Sequence, residues 1–297
     1  MRPKPLPKQA ILIVNAGSRR GAELFDKVRD KLVGAGIELL EAKKCKSSKN
    51  LGASVKRAVK RAPMVIVGGG DGTLSFAVDH FLGGKTIFAL LPLGTANSFA
   101  RSLGIPLDLD GAIGVIADGE ARPIDLAAIE GDYFLNNAAL GLAPLVAETV
   151  PHGLKRRLGR FGYLVWAGWA AASFRAFRLK VDDGTKIHRL WATEARIANG
   201  RFHGGVELIE SAELQSGEIV IQAVQGRSLA RLGLSYIASA LKLPRRHQTV
   251  REFRGKRMRI DTRPHMPVSI DGELGPETPF EVAIAPEAIR VAAPRGV

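Results

Sequence analysis

The chain has 297 residues, 46% of them hydrophobic and 24% charged, which is the composition of a folded globular protein and excludes a disordered or fibrous one. Forty-three Lys and Arg residues against 29 Asp and Glu residues give a formal charge of +14, so we expect basic faces on the folded surface. The single cysteine, Cys45, excludes an intramolecular disulfide, and neither a signal peptide nor an apolar run of about 18 residues is present, so we expect a soluble, cytoplasmic protein.

The first third of the chain alternates between apolar runs and amphipathic segments. The run AILIVNA ends at Asn15, and Leu24, Val28 and Leu32 then recur at helical spacing. A second strand (IELLEA) and helix (LGASVKRAVKR) follow. The order of buried strand, turn and helix recurs in PMVIVGGGDGT with LSFAVDHFL, and in TIFALLPLG with ANSFARSLG. Strands that alternate with helices predict a parallel sheet covered on both faces.

After about Pro123 the sequence changes to short, β-rich segments separated by Gly, Asp-Gly or Pro turns. Two helical blocks, 154–176 and about 227–242, interrupt these segments. We therefore place a domain boundary near residue 123. Residues 1–123 are predicted to form an α/β domain, and residues 124–285 a mainly antiparallel β domain.

The strongest chemical signal is the run GGGDGT, placed where a buried strand leads into a helix. Consecutive glycines let the backbone approach a polyphosphate closely, and the helix N-terminus offers N–H donors and a favourable dipole. Its aspartate can hold a Mg²⁺-bound phosphate or accept a proton from an attacking hydroxyl. A turn that uses glycine only for its conformation is the alternative, and the length of the run argues against it. The candidate residues are Gly68, Gly69, Gly70, Asp71, Gly72 and Thr73.

Two further strand-to-helix turns carry short polar side chains. In LPLGTANSFAR, Thr95 and Asn97 can cap the following helix and reach a bound nucleotide. Asn15 and Ser18 belong to the third such turn. Because open α/β sheets bind ligands at the carboxyl ends of their strands, we expect the three turns to share one site. In the second half, VSIDGE is a strand that ends in a turn, and by default both of its acids face solvent.

Together these motifs resemble those of the soluble bacterial diacylglycerol kinases, sphingosine kinases and ceramide kinases, in a superfamily that also contains NAD kinases. The resemblance covers nearly the whole chain: the Asn15 turn, GGGDGT, LPLGTANSFARSLGIP, NNAALGL, ANGRFHGGVELIESAELQSG, IDGE and the closing IRVAAP. GGDGT alone is shared with NAD kinases and phosphofructokinases. LPLGT-x-N-x-FAR and a late IDGE are more specific to the lipid kinases.

The resemblance implies an NAD kinase/diacylglycerol kinase-like fold, in which an ATP-binding α/β domain with a parallel sheet precedes a lipid-binding, mainly antiparallel β-sandwich. It implies that residues 286–297 return to the first domain and that the active site lies between the two domains. Nucleotide contacts are expected from the glycine run, Thr95, Asn97 and the Asn15 turn, with Mg²⁺ as cofactor and ATP as co-substrate. Glu273 matches the family's proton acceptor, and Asp71 its essential loop aspartate.

The chain departs from the family pattern at three places. Ser98 stands where an aspartate usually follows the asparagine, and Ser75 and Phe76 stand where Asn-Glu is common. Gln-Ser-Gly replaces a common Asp-Asp-Gly, whose second aspartate binds a structural Mg²⁺ in some members. The resemblance therefore leaves a structural Mg²⁺ site near Leu214 and Ser216 in doubt.

Basic residues concentrate in two blocks of the second half, 152–180 and 242–263, each with a net charge of +7. The first also carries Trp and Phe side chains, and an apolar helix flanked by cations suits the head-group level of an anionic membrane. A core helix with solvated ends is an equally good interpretation. A nucleic-acid partner is not expected, because no helix-turn-helix, RNP or zinc pattern is present.

We predict an ATP- and Mg²⁺-dependent lipid kinase that phosphorylates the hydroxyl of a membrane lipid at the inner face of the membrane. Diacylglycerol is the default acceptor, and a ceramide or sphingoid lipid remains open. The enzymatic alternative is an NAD kinase. An alternative of another class is a lipid-binding homologue with vestigial activity, favoured by Ser98 and Ser216 and opposed by the intact GGGDGT and Glu273. The sequence gives no support for an oligomer.

Overall fold

A computed structural model describes residues 4–17, 19–141, 174–227 and 250–296. The helices of these residues are α1 Arg19–Gly34, α2 Ser48–Ala58, α3 Asp71–Val78 with the 3₁₀ turn Asp79–Phe81, α4 Ser98–Ser102 and α5 Leu109–Asp118. The strands are β1 Lys4–Pro5, β2 Gln9–Asn15, β3 Glu38–Cys45, β4 Met64–Gly69, β5 Ile87–Pro92, β6 Glu120–Ile129, β7 Asp132–Phe134, β8 Asn137–Gly141, β9 Phe177–Asp182, β10 Ile187–Ala198, β11 Phe202–His203, β12 Val206–Glu207, β13 Ile219–Gln225, β14 Val250–Gly255, β15 Arg257–Arg263, β16 Pro267–Ile270, β17 Glu273–Glu277 and β18 Phe280–Ala293.

The first domain is built on four parallel strands in the order β3-β2-β4-β5. Strands β4 and β5 are buried along their whole length, as their continuous apolar sequences require when both faces of a sheet are covered. The helix α1 buries Val28 and Leu32, as its spacing indicated, whereas the third predicted residue, Leu24, is half-buried and its neighbour Phe25 is buried instead. The predicted α/β domain with a parallel sheet is confirmed.

The helix α5 was not predicted from the sequence. Asp108 caps its N-terminus, because the side chain accepts a hydrogen bond of 2.8 Å from the Gly111 N–H. Two glycines within the helix weaken its sequence pattern. Packing explains the glycine at position 111, because a Cβ there would lie only 2.5 Å from Cβ of Pro106. A close contact made in the folded chain thus outweighs the low helix propensity of glycine.

The second domain is mainly antiparallel, as predicted, and its central element is the long strand β10. The first half of β10 pairs with β9, and its second half lies between β8 and β13. A bulge at Ala192–Glu194 marks the change. This sheet covers a second hydrophobic core that contains Phe134, Phe177 and Phe280.

The predicted helical blocks at 154–176 and 227–242 lie almost wholly outside the described residues. Within the described ranges, no helix is both long and apolar enough to cross a membrane.

The strand β18 links the two domains. Its beginning pairs with β15, nearly its whole length pairs with β6, and Arg290 and Val291 pair in parallel with β5 of the first domain. Val291 and Ala293 are fully buried in the core of the first domain. One strand therefore contributes to both hydrophobic cores.

Phe88 is the residue with which we test the core of the first domain. Its ring is fully buried and stacks against Phe81 and Phe99, with centroid distances of 4.4 and 6.4 Å. Phe88→Ala is expected to lower the free energy of unfolding by about 3–5 kcal/mol, because it removes a large buried side chain and leaves a cavity. Chemical denaturation measures this, with Val33→Ala, whose side chain is 57% exposed, as a control expected within about 0.5 kcal/mol of wild type. Equal denaturation midpoints for Phe88→Ala and wild type would contradict the packing described.

Candidate active site

The three polar turns meet at one edge of the parallel sheet. They follow β2, β4 and β5, which are neighbours, so their carboxyl ends lie side by side. Asn15 Nδ2 donates a hydrogen bond of 2.8 Å to Thr73 Oγ1, which ties the first turn to the glycine run. Asn15 Oδ1 also accepts from the Gly17 N–H. Ser18, predicted in this turn, lies outside the described residues.

The glycine run and the Thr95 turn are in direct contact. A Cβ on Gly94 would lie 2.5 Å from the Cα of Gly70, and a Cβ on Gly69 would lie 2.5 Å from the Cβ of Thr73. No side chain fits at either position. The helix α3 therefore begins in a tight cradle formed by the two turns. The first N–H groups of the helix have no partner within it, which is the arrangement that binds a phosphate. Thr95 is exposed at the rim of this cradle.

Asp71, the first residue of α3, links the cradle to α4. Its Oδ1 accepts a hydrogen bond of 3.1 Å from the Phe99 N–H, and its side chain is half-buried. A carboxylate is thereby fixed at the point where a phosphate would enter. Carboxylate oxygens are also the ligands that Mg²⁺ prefers.

The prediction that Asn97 caps α4 is wrong. The residue adopts a left-handed conformation with φ of 50° and makes no side-chain cap. It is 3% exposed, and its side chain turns back into its own loop, where Oδ1 accepts from the Gly94 N–H and Nδ2 donates to the Gly94 and Pro92 carbonyls. Asn97 shapes the turn from inside, because satisfying its buried amide outweighs a bond to the helix end.

Hydrogen bonds join the second domain to the site at two places within the described residues, and Ser98 of α4 makes one of them. The buried Ser98 Oγ accepts a hydrogen bond of 3.1 Å from the Gly205 N–H, in the turn between β11 and β12. The residue that stands where the family usually has an aspartate is therefore a structural link between the two domains.

The second contact is made by Asp271, in the turn between β16 and β17. Its carboxylate accepts hydrogen bonds from the Ser75 hydroxyl at 2.6 Å and from the N–H groups of Leu135, Asn136 and Asn137 at 2.9–3.1 Å. The prediction of a solvent-facing acid is wrong for this residue. Loss of water raises the pKa of Asp271, and these four hydrogen bonds act in the opposite direction because they stabilise the charged form.

Glu273 is the exposed acid of the same turn. It begins β17, directly after Asp271 and Gly272, which have φ values of 46° and 93°. Because Asp271 holds Ser75, which lies about 6 Å along α3 from Asp71, the turn that carries Glu273 borders the glycine cradle. The structure thus brings the two predicted catalytic carboxylates to the same region.

His203 is a site residue that the sequence analysis did not single out. Its Nδ1 contacts Asn137 Nδ2, next to the Asp271 turn. Part of the residue faces solvent, but removal of the ring from water lowers the pKa of His203, against the opposing effect of nearby carboxylates that include Asp271 and Asp71. The only sequence signal was its place in ANGRFHGG, where a histidine has no spacing that marks it.

The residues near the doubtful structural Mg²⁺ site do not fit a bound cation. Asp125 is 5% exposed, and its Oδ1 and Oδ2 accept from the Glu287 and Gly217 N–H groups at 2.9 and 2.8 Å. The Leu214 carbonyl accepts from the Asp125 N–H, and the Ser216 hydroxyl is bonded within its own turn. Backbone N–H groups hold this loop closed. Across the described ranges, no three His, Cys, Asp or Glu side chains converge as a metal site would require.

A glycine cradle on an α/β domain and a carboxylate turn supplied by a β-sandwich thus meet at one site, an arrangement that suits a two-domain phosphotransferase. Residues 9–129 match the family described as "Diacylglycerol kinase catalytic domain", and residues 138–293 match the "YegS C-terminal NAD kinase beta sandwich-like domain". The chain belongs to the lipid-kinase family in which these two domains follow one another. The predicted family and enzyme class are confirmed, and the family implies ATP as co-substrate.

Similar proteins extend over the full length of the chain. A diacylglycerol kinase of Staphylococcus haemolyticus is 28% identical over 298 residues, which cover 98% of this chain and 89% of that protein. A diacylglycerol kinase of Bacillus subtilis is 27% identical, with 97% of each chain covered. The crystal structure of a diacylglycerol kinase from Bacillus anthracis superposes with a TM-score of 0.77 at 21% identity and covers 98% of both chains. This structural likeness supports the two-domain fold.

The Ser75–Asp271 hydrogen bond can be tested by its removal. Ser75→Ala is expected to lower the free energy of unfolding by about 1 kcal/mol and to raise the pKa of Asp271 further, because one bond to the carboxylate is lost. Thr185→Ala is the matched control, since its hydroxyl makes an exposed 2.6 Å bond to Asp183. It should change the free energy by less than about 0.5 kcal/mol in the same denaturation series. Equal effects of the two substitutions would show that the Ser75 bond does not hold the domains together.

His203 provides a test of the electrostatics of the site. Its titration midpoint, followed by NMR and assigned by comparison with His203→Gln, is expected below the ordinary value of about 6.5. Because the folded state favours the neutral ring, this residue should make the protein less stable as the pH falls below about 6.5, until the folded-state pKa is passed. A midpoint at or above 6.5 would show that the neighbouring carboxylates dominate its environment.

Proposed function

We propose that the protein is an ATP- and Mg²⁺-dependent lipid kinase that transfers the γ-phosphate to the hydroxyl of a membrane lipid, with diacylglycerol as the first acceptor to test. The observation that carries this proposal is the Ser75–Asp271 hydrogen bond, which sets the Glu273 turn beside the phosphate cradle. Residues 1–123, with 286–297, are proposed to bind the nucleotide. Residues 124–285 are proposed to bind the acceptor.

In the proposed reaction, the N–H groups at the start of α3 bind the phosphates of ATP, and the tight packing of Gly70 on Gly94 keeps them in place. Asn15, Ser18, Thr95 and Asn97 are proposed to border the nucleotide, Asn97 by shaping its turn. Asp71 would hold the Mg²⁺ that accompanies the nucleotide, which neutralises charge on the phosphates when bound.

Glu273 is proposed to accept the proton of the lipid hydroxyl as the hydroxyl oxygen attacks the γ-phosphorus, while the bond from that phosphorus to the β–γ bridging oxygen breaks and ADP leaves. The exposed position of this carboxylate lets an acceptor approach from outside the protein. Asp271 positions the turn and is not a candidate base, because its carboxylate already accepts four hydrogen bonds. The inner face of the membrane, where the acceptor lipid and cytoplasmic ATP meet, is the proposed place of action.

The defining experiment is transfer of labelled γ-phosphate from Mg-ATP to diacylglycerol, monoacylglycerol, ceramide and sphingosine in mixed micelles, with NAD⁺ in a parallel tube. We expect label in a lipid, which would also identify the acceptor. Label in NAD⁺ alone would assign the chain to the NAD kinases. Failure to bind ATP in a thermal-shift assay would favour a lipid-binding protein with vestigial activity.

The proposed roles of Asp71 and Glu273 lead to a mutational prediction. Asp71→Asn should abolish turnover without unfolding the protein, because the asparagine oxygen can still accept the bond from the Phe99 N–H. Glu273→Gln should lower kcat about 100-fold or more with KM little changed, as loss of a general base does. Initial rates on the preferred lipid measure both effects.

Glu277→Gln is the matched control, because Glu277 is an exposed glutamate at the other end of β17. It should keep wild-type kinetics. Wild-type rates from Asp71→Asn would remove that residue from the mechanism, and a change confined to KM in Glu273→Gln would make Glu273 a binding residue.

A further inference from the structure

A basic groove lies on the second domain, on the outer face of β9, β10 and β15. It has a volume of about 400 Å³. We call it the Trp191 groove, and its principal side chains are Arg178, Lys180, Arg189, Trp191, Asp261 and Arg263. No residue of the candidate active site contributes to it.

Strand register brings these side chains together. Arg178 of β9 lies opposite Arg263 of β15 on one side and Trp191 of β10 on the other. The next row of the same face is Asp261, Lys180 and Arg189. The alternate residues of β9, among them Leu179, are buried in the core, so the cations must project outward.

The positive charge of the groove is not neutralised. Among the described residues, none of Arg178, Lys180, Arg189 or Arg263 forms an ion pair, although the sheet holds them on neighbouring positions. The one acid of the groove is Asp261, whose carboxylate lies 3.5 Å from the His265 ring. Four cations and one carboxylate leave the groove with a net positive charge, which produces a local field that attracts an anionic partner.

Trp191 gives the groove an amphipathic centre. The guanidinium groups of Arg178 and Arg227 lie 5.2 and 3.9 Å from its ring, and the side chain is half-buried. Tryptophan surrounded by cations suits the level of phospholipid head groups, where the ring meets the apolar boundary and the cations meet phosphates. Stacked bases would require exposed aromatic faces, whereas guanidinium groups lie over this ring.

The groove and the candidate active site lie at opposite ends of β10. Trp191 is in the first half of the strand, and Ala198, which pairs with Asn137, is its last residue. Seven residues of strand place them about 23 Å apart. At that distance the groove cannot take part in phosphoryl transfer, so its variants should separate membrane docking from chemistry.

We propose that the Trp191 groove docks this protein on the anionic phospholipid head groups of a bilayer. The inference rests on the proposed lipid-kinase function for the choice of a bilayer as the anionic partner. Its test uses binding alone, so failure of the lipid to accept phosphate and failure of the groove to bind vesicles are separate results.

The test is sedimentation with vesicles of phosphatidylcholine alone or with one-third phosphatidylglycerol, without ATP. We expect binding to the anionic vesicles only, weakening as salt rises. Arg178→Gln combined with Arg189→Gln should lower the affinity about 30-fold, because each cation near the surface contributes about fivefold. Wild-type tryptophan emission should shift to the blue on binding, and Trp191→Phe should remove part of that shift.

Arg57→Gln combined with Lys60→Gln is the control, because it removes the same charge from exposed positions on the first domain. It should retain most of the affinity. Both double variants should keep the wild-type thermal unfolding midpoint and the wild-type rate on an acceptor dispersed in neutral micelles. Equal affinities of the groove variant and wild type, equal losses in both double variants, or groove-dependent binding of RNA without binding of vesicles would each overturn the proposal.

Discussion

The arrangement of the site depends on one partly buried carboxylate. The Asp271 carboxylate accepts a hydrogen bond from the Ser75 hydroxyl of the first domain and three from the consecutive backbone N–H groups of residues 135–137 in the second. Four donors around one acid offset part of the cost of its loss of water. The turn that presents Glu273 is therefore fixed relative to α3. A left-handed backbone at Asp271 and Gly272 is the conformational cost of this arrangement.

The phosphate cradle depends on a different constraint, which is steric. The two turns pack so closely at Gly70 and Gly94 that no Cβ would fit between them, and the same close packing restricts motion of either backbone. Asn15 and Asn97 then hold the turns through side-chain hydrogen bonds. Donors that are placed before a ligand arrives lose little entropy when it binds, which is what a site for phosphoryl transfer requires.

Sequence reasoning predicted what depends on near neighbours in the chain. The parallel strands, the glycine run and the convergence of three turns follow from apolar patterns and turn chemistry within about 20 residues. It failed for α5, because the glycines of that helix weaken its pattern and the close contact of Gly111 with Pro106 is visible only in the fold. It also failed for Asn97, whose side chain forms hydrogen bonds within its own loop. The roles of Asp271 and His203 were missed because their partners, Ser75 and Asn137, are 196 and 66 residues distant. No local pattern encodes such contacts.

The placement of β18 has a consequence for how the chain folds. In the parallel sheet of the first domain, β5 pairs with residues 290 and 291 of β18, which come about 200 positions later in the sequence. During synthesis the first domain therefore emerges with β5 as an open edge, and the exposed backbone must wait for the rest of the chain. The first domain can therefore be completed only after the second has been synthesised. Until residues 290 and 291 are in place, the β5 edge can pair with strands of other chains, so the nascent first domain carries an aggregation hazard.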